Sequence, residues 1–305
     1  MILAPLGILV CLAVFLLPDF LSGAWWSKPG AVKSRPEVIV VPPPSPKAAQ
    51  ADKPRTMDKN RLAEIIGPRP FNPNELFTFK IEDPDGHGLF VRTTMNPGLQ
   101  AWAIQVIPKV QALSAALVAM DPNTGEVLAM ASYNSDGNPV NLALNSSFPA
   151  ASLFKIVTAA AAVENKQMTS NTTLAYDGRK HTLYKSHLNG GIKQGRNQVT
   201  LREGFAESIN TVFGKLGAFT LGPETLAGFA QRFHFNQSIC FEMPVQKSNF
   251  DAFEDEDPYH LAELASGFNR PTKGSPLHGA MLASAIINNG ELKEPTVVRE
   301  VFDQD

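Results

Sequence analysis

Apolar positions are spread very unevenly along the chain. Residues 2–17 are almost all apolar, and after Pro18 and Asp19 the apolar character resumes through Trp25 and Trp26. That length can span a bilayer, and tryptophans suit its interface. Residues 28–57 lose the pattern, with Pro36, Pro42, Pro43, Pro44, Pro46 and Pro54 recurring among alanines and charges. Proline removes backbone donors and favours extended chain, so this stretch reads as a semi-rigid spacer. From residue 58 onward, short periodic segments alternate with turn signals. A short helix is expected over 58–66, ended by Gly67-Pro68. Strands are expected over 76–81 and 89–92, separated by Asp83-Pro84-Asp85-Gly86. Pro97 opens a helix running toward Val110, with Leu99, Trp102, Ala103 and Val106 on one side. Residues 114–120 and 126–131 flank Asp121-Pro122-Asn123-Thr124-Gly125, which predicts a hairpin.

The second half is dominated by helical patterns. Residues 150–164 are apolar nearly all round with Lys155 as a lone early charge, which predicts a core helix. Residues 169–198 are polar and contain Gly190, Gly191 and Gly195, and read as a surface excursion. Helices follow over 201–213, over 223–233 with proline in the first turn, and over 276–289 closed by Gly290. Residues 250–259 read as an acidic, solvated loop. Strands first and helices after predict an α+β fold, with a helical block packed on an antiparallel sheet. Two strands cannot bury the apolar residues of at least four helices. Further strands are therefore expected beyond Asp305, and the end of the chain is expected to be unpaired.

Composition narrows the function. The chain of 305 residues is 44% apolar and 18% charged, with a formal net charge of -2. This is a globular balance with an apolar tail, and it gives no sign of nucleic-acid binding. Cys11 lies in the apolar run and Cys240 far from it, so no disulfide framework is implied. His181, His187, His234, His260 and His278 show no metal-ligand spacing and read as solvated or loop residues. His87 is a turn residue, and Phe213, Phe219, Phe229, Phe233 and Phe235 read as helical core. No cofactor or metal is expected.

The chemistry lies in Ser152-Leu153-Phe154-Lys155 and in Ser208-Ile209-Asn210. Three residues apart on a helix, Ser152 and Lys155 share a face. A serine hydroxyl needs a base within hydrogen-bond reach, and a lysine serves if burial and cationic neighbours lower its pKa toward neutrality. The helix N-terminus disfavours a second positive charge in the same way. Ser208 can relay a proton. The Asn210 amide can hold a substrate carbonyl and steady the lysine. Either motif alone is compatible with helix capping or an ordinary polar surface; the two in order, with a lysine in an apolar helix, favour the catalytic reading.

These residues carry a family resemblance. The chain resembles the transpeptidase domain of high-molecular-mass penicillin-binding proteins, the serine D,D-transpeptidases of peptidoglycan synthesis. The resemblance rests on Thr93-Thr94-Met95-Asn96-Pro97-Gly98-Leu99-Gln100, on the hairpin from Ala119-Met120-Asp121 to Leu128-Ala129-Met130, and on Pro149-Ala150-Ala151-Ser152-Leu153-Phe154-Lys155. It continues through Ser208-Ile209-Asn210-Thr211-Val212-Phe213 and Ser275-Pro276-Leu277-His278-Gly279-Ala280 to Ile287-Asn288-Asn289-Gly290. It implies a penicillin-binding-protein/β-lactamase-like serine acyltransferase fold whose later strands are missing here. It implies Ser152 as the acylated nucleophile, Lys155 as its base, Ser208 as proton relay and Asn210 as a substrate-binding residue. The implied partners are peptidoglycan stem peptides and β-lactams, with cell-wall or division complex proteins and, through the N-terminus, the membrane.

Two departures matter. Ala150 stands where the family usually has glycine, and the third motif, Lys-Thr-Gly, is not found. Lys273-Gly274 and Lys215-Leu216-Gly217 are poor substitutes, expected in a loop and a helix. The enzyme assignment is therefore made for the intact protein and not extended to this form, which reads as C-terminally incomplete. The expected organisation is a transmembrane anchor or signal segment (1–26), a Pro-rich linker (27–57), a small N-terminal lead-in (58–95) and a partial transpeptidase domain (96–305). The first basic residues, Lys28, Lys33 and Arg35, follow the apolar run, and charge bias alone would keep the rest in the cytoplasm. A start assigned slightly downstream would have removed a basic leader, so a periplasmic or extracellular domain on the plasma or inner membrane is expected. The alternatives are a D,D-carboxypeptidase or β-lactamase relative, and a non-catalytic wall-synthesis or division module.

Overall fold

The computed structural model describes residues 54–55, 57–67, 77–83, 86–110, 112–137, 140–250 and 257–303. The apolar run at 1–26, most of the linker at 27–57 and the acidic stretch at 251–256 lie outside them. Among the described residues no helix is long and apolar enough to cross a membrane.

In chain order the elements begin with β1 (Pro54–Arg55), α1 (Lys59–Ile66), β2 (Thr78–Glu82), β3 (Gly88–Thr93) and α2 (Pro97–Val106). Next come β4 (Ser114–Met120), β5 (Val127–Asn134), β6 (Phe148–Pro149), α3 (Phe154–Lys166), β7 (Thr173–Tyr176) and β8 (Asn197–Thr200). Then follow α4 (Leu201–Ala206), α5 (Asn210–Leu216), α6 (Gly222–Arg232), α7 (Pro258–Ser266), β9 (Lys273–Gly274), α8 (Pro276–Ile287) and β10 (Val298–Asp303). Most helices start where a short polar side chain can take up an orphan amide. Asp58 accepts from Arg61 N, Asn96 from Leu99 N, and Ser275 from His278 N. Thr200 and Glu203 form a reciprocal capping box on α4.

The chain divides into two compact units. The first takes in described residues of Met1–Ala143, Cys240–Pro244 and Pro295–Asp305. It holds a four-stranded antiparallel sheet in the order β1-β10-β3-β2, lined by Leu62, Ile66, Ile81, Leu89, Val91 and Val301. The chain end, expected to be unpaired, is thus a ladder strand between β1 and β3. Val301 is its buried residue, and the register against β3 shifts between Val298 and Glu300, as at a bulge. The β4–β5 hairpin turns at Asp121, whose side chain accepts from Asn123 N and Thr124 N, while Gly125 supplies the positive φ of 81°. Ala103 and Ile107, in and just after α2, pack on the hairpin. Gln100 on the same helix is buried as well. It donates from Nε2 to Met130 O and accepts from Met130 N through Oε1, replacing a ladder partner of β5.

The second unit, Leu144–Ile239 with Val245–Glu294, is the helical block. Its helices bury their apolar faces on one another, with Phe154, Val157, Phe213, Leu216, Leu226, Phe229, Leu264 and Leu282 in one cluster. This block does not bury every apolar position within itself: Phe205 of α4 and Ile286 and Ile287 of α8 stay exposed. Helix α3 is buried on its N-terminal part, but Val163 is 49% exposed, so it is not apolar-buried all round. Phe154 stacks on Phe250 at 5.6 Å and meets Phe235 edge-on at 5.4 Å. Replacing it with alanine should cost about 3–5 kcal/mol in denaturant unfolding; a loss under about 1 kcal/mol would contradict this account of the core.

The surface excursion expected over residues 169–198 is largely exposed; β7 and β8 pair at its two ends, and Leu174, Leu183 and Leu188 are its buried anchors. The fully buried Lys215 on α5 holds it. Its Nζ donates to Gln194 O at 2.7 Å and Asn189 O at 3.3 Å, and lies 3.6 Å from Asp177. Burial lowers its pKa and Asp177 opposes the shift. Lys273-Gly274, expected in a loop, is strand β9, paired with β6. His278 is buried rather than solvated. Its Nε2 meets Phe233 O at 2.7 Å, and burial pushes its pKa down to about 4, so neutral Nε2–H donates there. Phe219, expected in the core, is 47% exposed.

Candidate active site

Ser152 does not begin α3 itself. It lies in a single 3-10 turn, Ala151–Leu153, that feeds α3, and its side chain is exposed. Ala151 has φ 47°, a left-handed conformation that a Cβ disfavours. Just upstream, β6 pairs with β9 and Ala150 N donates to Thr272 O at 2.8 Å. Lys155 follows in the first turn of α3 and is only 1% exposed.

The helix expected over 201–213 is broken between α4 and α5, and Ser208 occupies the break with φ 53°. Ser208 N bonds Phe205 O and Ile209 N bonds Gly204 O, ending α4. A Cβ on Gly204 would come within 3.1 Å of Val212 Cγ1, so glycine lets the two short helices close up. Asn210 opens α5, its N–H donating to Lys180 O at 2.7 Å.

All four residues singled out in the sequence meet here. Lys155 Nζ lies 2.9 Å from Ser152 Oγ and 2.8 Å from Asn210 Oδ1, and Ser208 Oγ donates to Ser152 Oγ at 2.8 Å. A fifth group, Ser266 O at the end of α7, accepts from Lys155 Nζ at 2.7 Å. The Asn210 amide presents its oxygen to Nζ, with Nδ2 directed elsewhere. Burial brings the Lys155 pKa down to about 7. Burial is the cause, and the cationic neighbours considered in the sequence are not needed. The Phe213 ring centroid, 6.0 Å from Nζ, belongs to the same apolar wall.

A neutral lysine has two N–H bonds and a lone pair. Ser266 O and Asn210 Oδ1 can only accept, so they take the two hydrogens. The lone pair then faces the Ser152 hydroxyl, the arrangement of a general base beside a nucleophile. Among the described residues no group of three or more His, Cys, Asp or Glu is gathered as metal ligands would be.

Ser266 O and α7 were missed in the sequence. A backbone acceptor has no side-chain signature, and the charges around 250–259 concealed the helix start. The signal was present: Asp257 caps Tyr259 N, Pro258 follows in the first turn, and Gly267 ends the helix at φ 67°.

Residues 115–305 match the family described as penicillin binding protein transpeptidase domain. The peptidoglycan D,D-transpeptidase PbpA of Mycobacterium tuberculosis is 29% identical over 259 residues, covering 74% of this chain and 51% of its own length. Penicillin-binding protein A from M. tuberculosis, solved as its penicillin G acyl-enzyme complex, is 26% identical with a TM-score of 0.58. That match covers 70% of this chain and 56% of the solved one. The D,D-transpeptidase domain of a peptidoglycan glycosyltransferase from Eggerthella lenta is 30% identical with a TM-score of 0.55, covering 69% of this chain and 57% of that one. The chain spans about half the length, or less, of the curated relatives it matches.

Proposed function

The chain belongs to the penicillin-binding protein transpeptidase family, and from that premise we propose that it is the acyl-transfer part of a peptidoglycan D,D-transpeptidase working through an acyl-serine intermediate. Its fold is the α+β fold of that family. The observation that carries the reading is Lys155: buried, with its pKa near 7, it has two acceptors for its hydrogens and Ser152 Oγ at 2.9 Å.

In this reading neutral Lys155 takes the Ser152 proton as Oγ bonds to the carbonyl carbon of the penultimate D-alanine of a stem peptide. The tetrahedral intermediate collapses, the C–N bond breaks, and the leaving D-alanine nitrogen gains a proton by way of Ser208. With a β-lactam the bond broken is the ring amide, and its nitrogen stays attached. An amine of a neighbouring stem peptide then attacks the ester, returns the proton to the serine, and forms the cross-link. Asn210 Oδ1 is occupied by Lys155, so its Nδ2 serves to donate to a substrate carbonyl. The substrates require the domain to act outside the cytoplasmic membrane, held there by the N-terminal apolar segment.

The test uses a membrane-impermeant fluorescent penicillin on spheroplasts making the full-length protein that carries this chain. The protein is expected to be labelled without lysis, and peptide mass spectrometry to find the acyl adduct on Ser152. Labelling only after lysis would reject the outward placement. An adduct on another residue, or none, would reject the acyl-serine reading.

A further inference from the structure

The nucleophile turn is held from behind by the end of α7. Gly267 closes that helix in a left-handed conformation, φ 67°, with its N–H bonded to Leu264 O at 2.9 Å and the next N–H, of Phe268, to Glu263 O at 2.8 Å. A Cβ built on Gly267 would lie 1.7 Å from Ala151 O, 2.4 Å from Ala151 C and 3.2 Å from Ala151 Cα. These are backbone atoms of the residue immediately before Ser152. Real Cβ atoms essentially never approach within 3.0 Å, so any side chain at 267 must displace that peptide. The displaced segment is the strained one, since Ala151 itself has φ 47°. The preceding residue, Ser266, gives its carbonyl to Lys155 Nζ at 2.7 Å. One short turn therefore touches both members of the catalytic pair: it backs the peptide that aims Ser152 and anchors the amine of Lys155.

We propose that Gly267 is a positioning residue, whose missing side chain lets the α7 terminus seat the Ala151 peptide and so sets the distance between Ser152 Oγ and Lys155 Nζ. The proposal rests on the reading of Ser152 as the acylated residue. Its geometry can also be read without that chemistry. In a reacting pair, misplacement by about 1 Å can lower the rate roughly 10²-fold.

Two readouts in the full-length protein separate the proposal from the reading beneath it. The first is the acylation rate with fluorescent penicillin in Gly267→Ala. The second uses Ser152→Cys, with and without Gly267→Ala: the pH profile of iodoacetamide alkylation at position 152, resolved by peptide mass spectrometry. A thiol beside an amine titrates below its ordinary value of about 8.5. Gly290→Ala is the control, because Gly290 has φ 87° but nothing within 4 Å of a built Cβ. It carries the same kind of backbone strain without the contact.

Gly267→Ala is expected to slow acylation roughly 10²-fold and to move the thiol midpoint up toward about 8.5. Gly290→Ala should change neither. If Gly267→Ala does not fold, Ala151→Gly is added, since glycine at 151 lets the peptide yield. The double variant is then expected to fold and still acylate slowly. A parent-like acylation rate and thiol profile in any folded Gly267→Ala protein would overturn the proposal. If the parent takes no penicillin while the thiol midpoint still shifts with Gly267→Ala, the positioning role stands and the acylation reading falls.

Discussion

Replacing Ser152 with alanine is expected to abolish covalent labelling by penicillin while leaving the protein folded. The side chain is exposed, so its loss opens no cavity in the core. It removes one hydrogen bond from Lys155 and one from Ser208, and Lys155 keeps Asn210 Oδ1 and Ser266 O. The melting temperature should therefore move by no more than a few degrees. The instructive competitor is Ser208, a half-buried residue whose hydroxyl lies 2.8 Å from Ser152 Oγ. What distinguishes the two is the base: Lys155 Nζ lies 2.9 Å from the hydroxyl of Ser152. Labelling that survives in Ser152→Ala and maps to Ser208 would show that the two serines have been assigned the wrong way round. Labelling that disappears along with the cooperative melt would report unfolding, and the adduct position in the parent, read by peptide mass spectrometry, would then carry the test.

Much of this arrangement was legible in the sequence, for reasons that can be named. The hairpin at Asp121-Pro122-Asn123-Thr124-Gly125 and the helix starts at Asp58, Asn96 and Ser275 are local features, fixed by turn and capping chemistry within a few residues. Ser152, Lys155, Ser208 and Asn210 were legible because each bears a reactive or polar side chain at a recognisable spacing. What stayed hidden depends on contacts between distant segments or on backbone atoms. Ser266 O and the glycine behind Ala151 present no functional side chain. The pairing of β10 with β3 joins residues far apart in the chain. The break at Ser208 was smoothed over because residues on both sides have helical composition, and only its φ of 53° and the close approach allowed by Gly204 reveal it. The mutual packing of α3, α5, α6, α7 and α8 stayed hidden for the same reason, since it joins segments distant in the chain.

Lys155 should give the other large effect, and its pH dependence is the sharper part. Lys155→Ala is expected to slow acylation by about 10²–10⁴, the usual contribution of a positioned base. Lys155→Arg should do no better, because a guanidinium keeps its proton at every accessible pH and has no lone pair to offer. In the parent, only the neutral amine can accept the serine proton, and burial sets its pKa to about 7. The acylation rate should thus climb about tenfold per pH unit below that value and level off above it. A profile flat from pH 5 to 9 would remove Lys155 from the role of base, as would a midpoint close to the ordinary lysine value of about 10.4. The same burial makes a second, independent mark on stability. Between about 7 and about 10.4 the unfolded chain binds a proton that the folded chain does not, so stability contributed at this site rises with pH across that window. Below about 7 lysine is protonated in both states and the full cost of burying its charge is present; above about 10.4 it is neutral in both and that cost is gone. Denaturant midpoints for the parent should therefore show that rising component, and those for Lys155→Met should lack it. One buried amine accounts for both curves: the dehydration that makes the folded protein less stable at neutral pH is what leaves the lone pair available to Ser152.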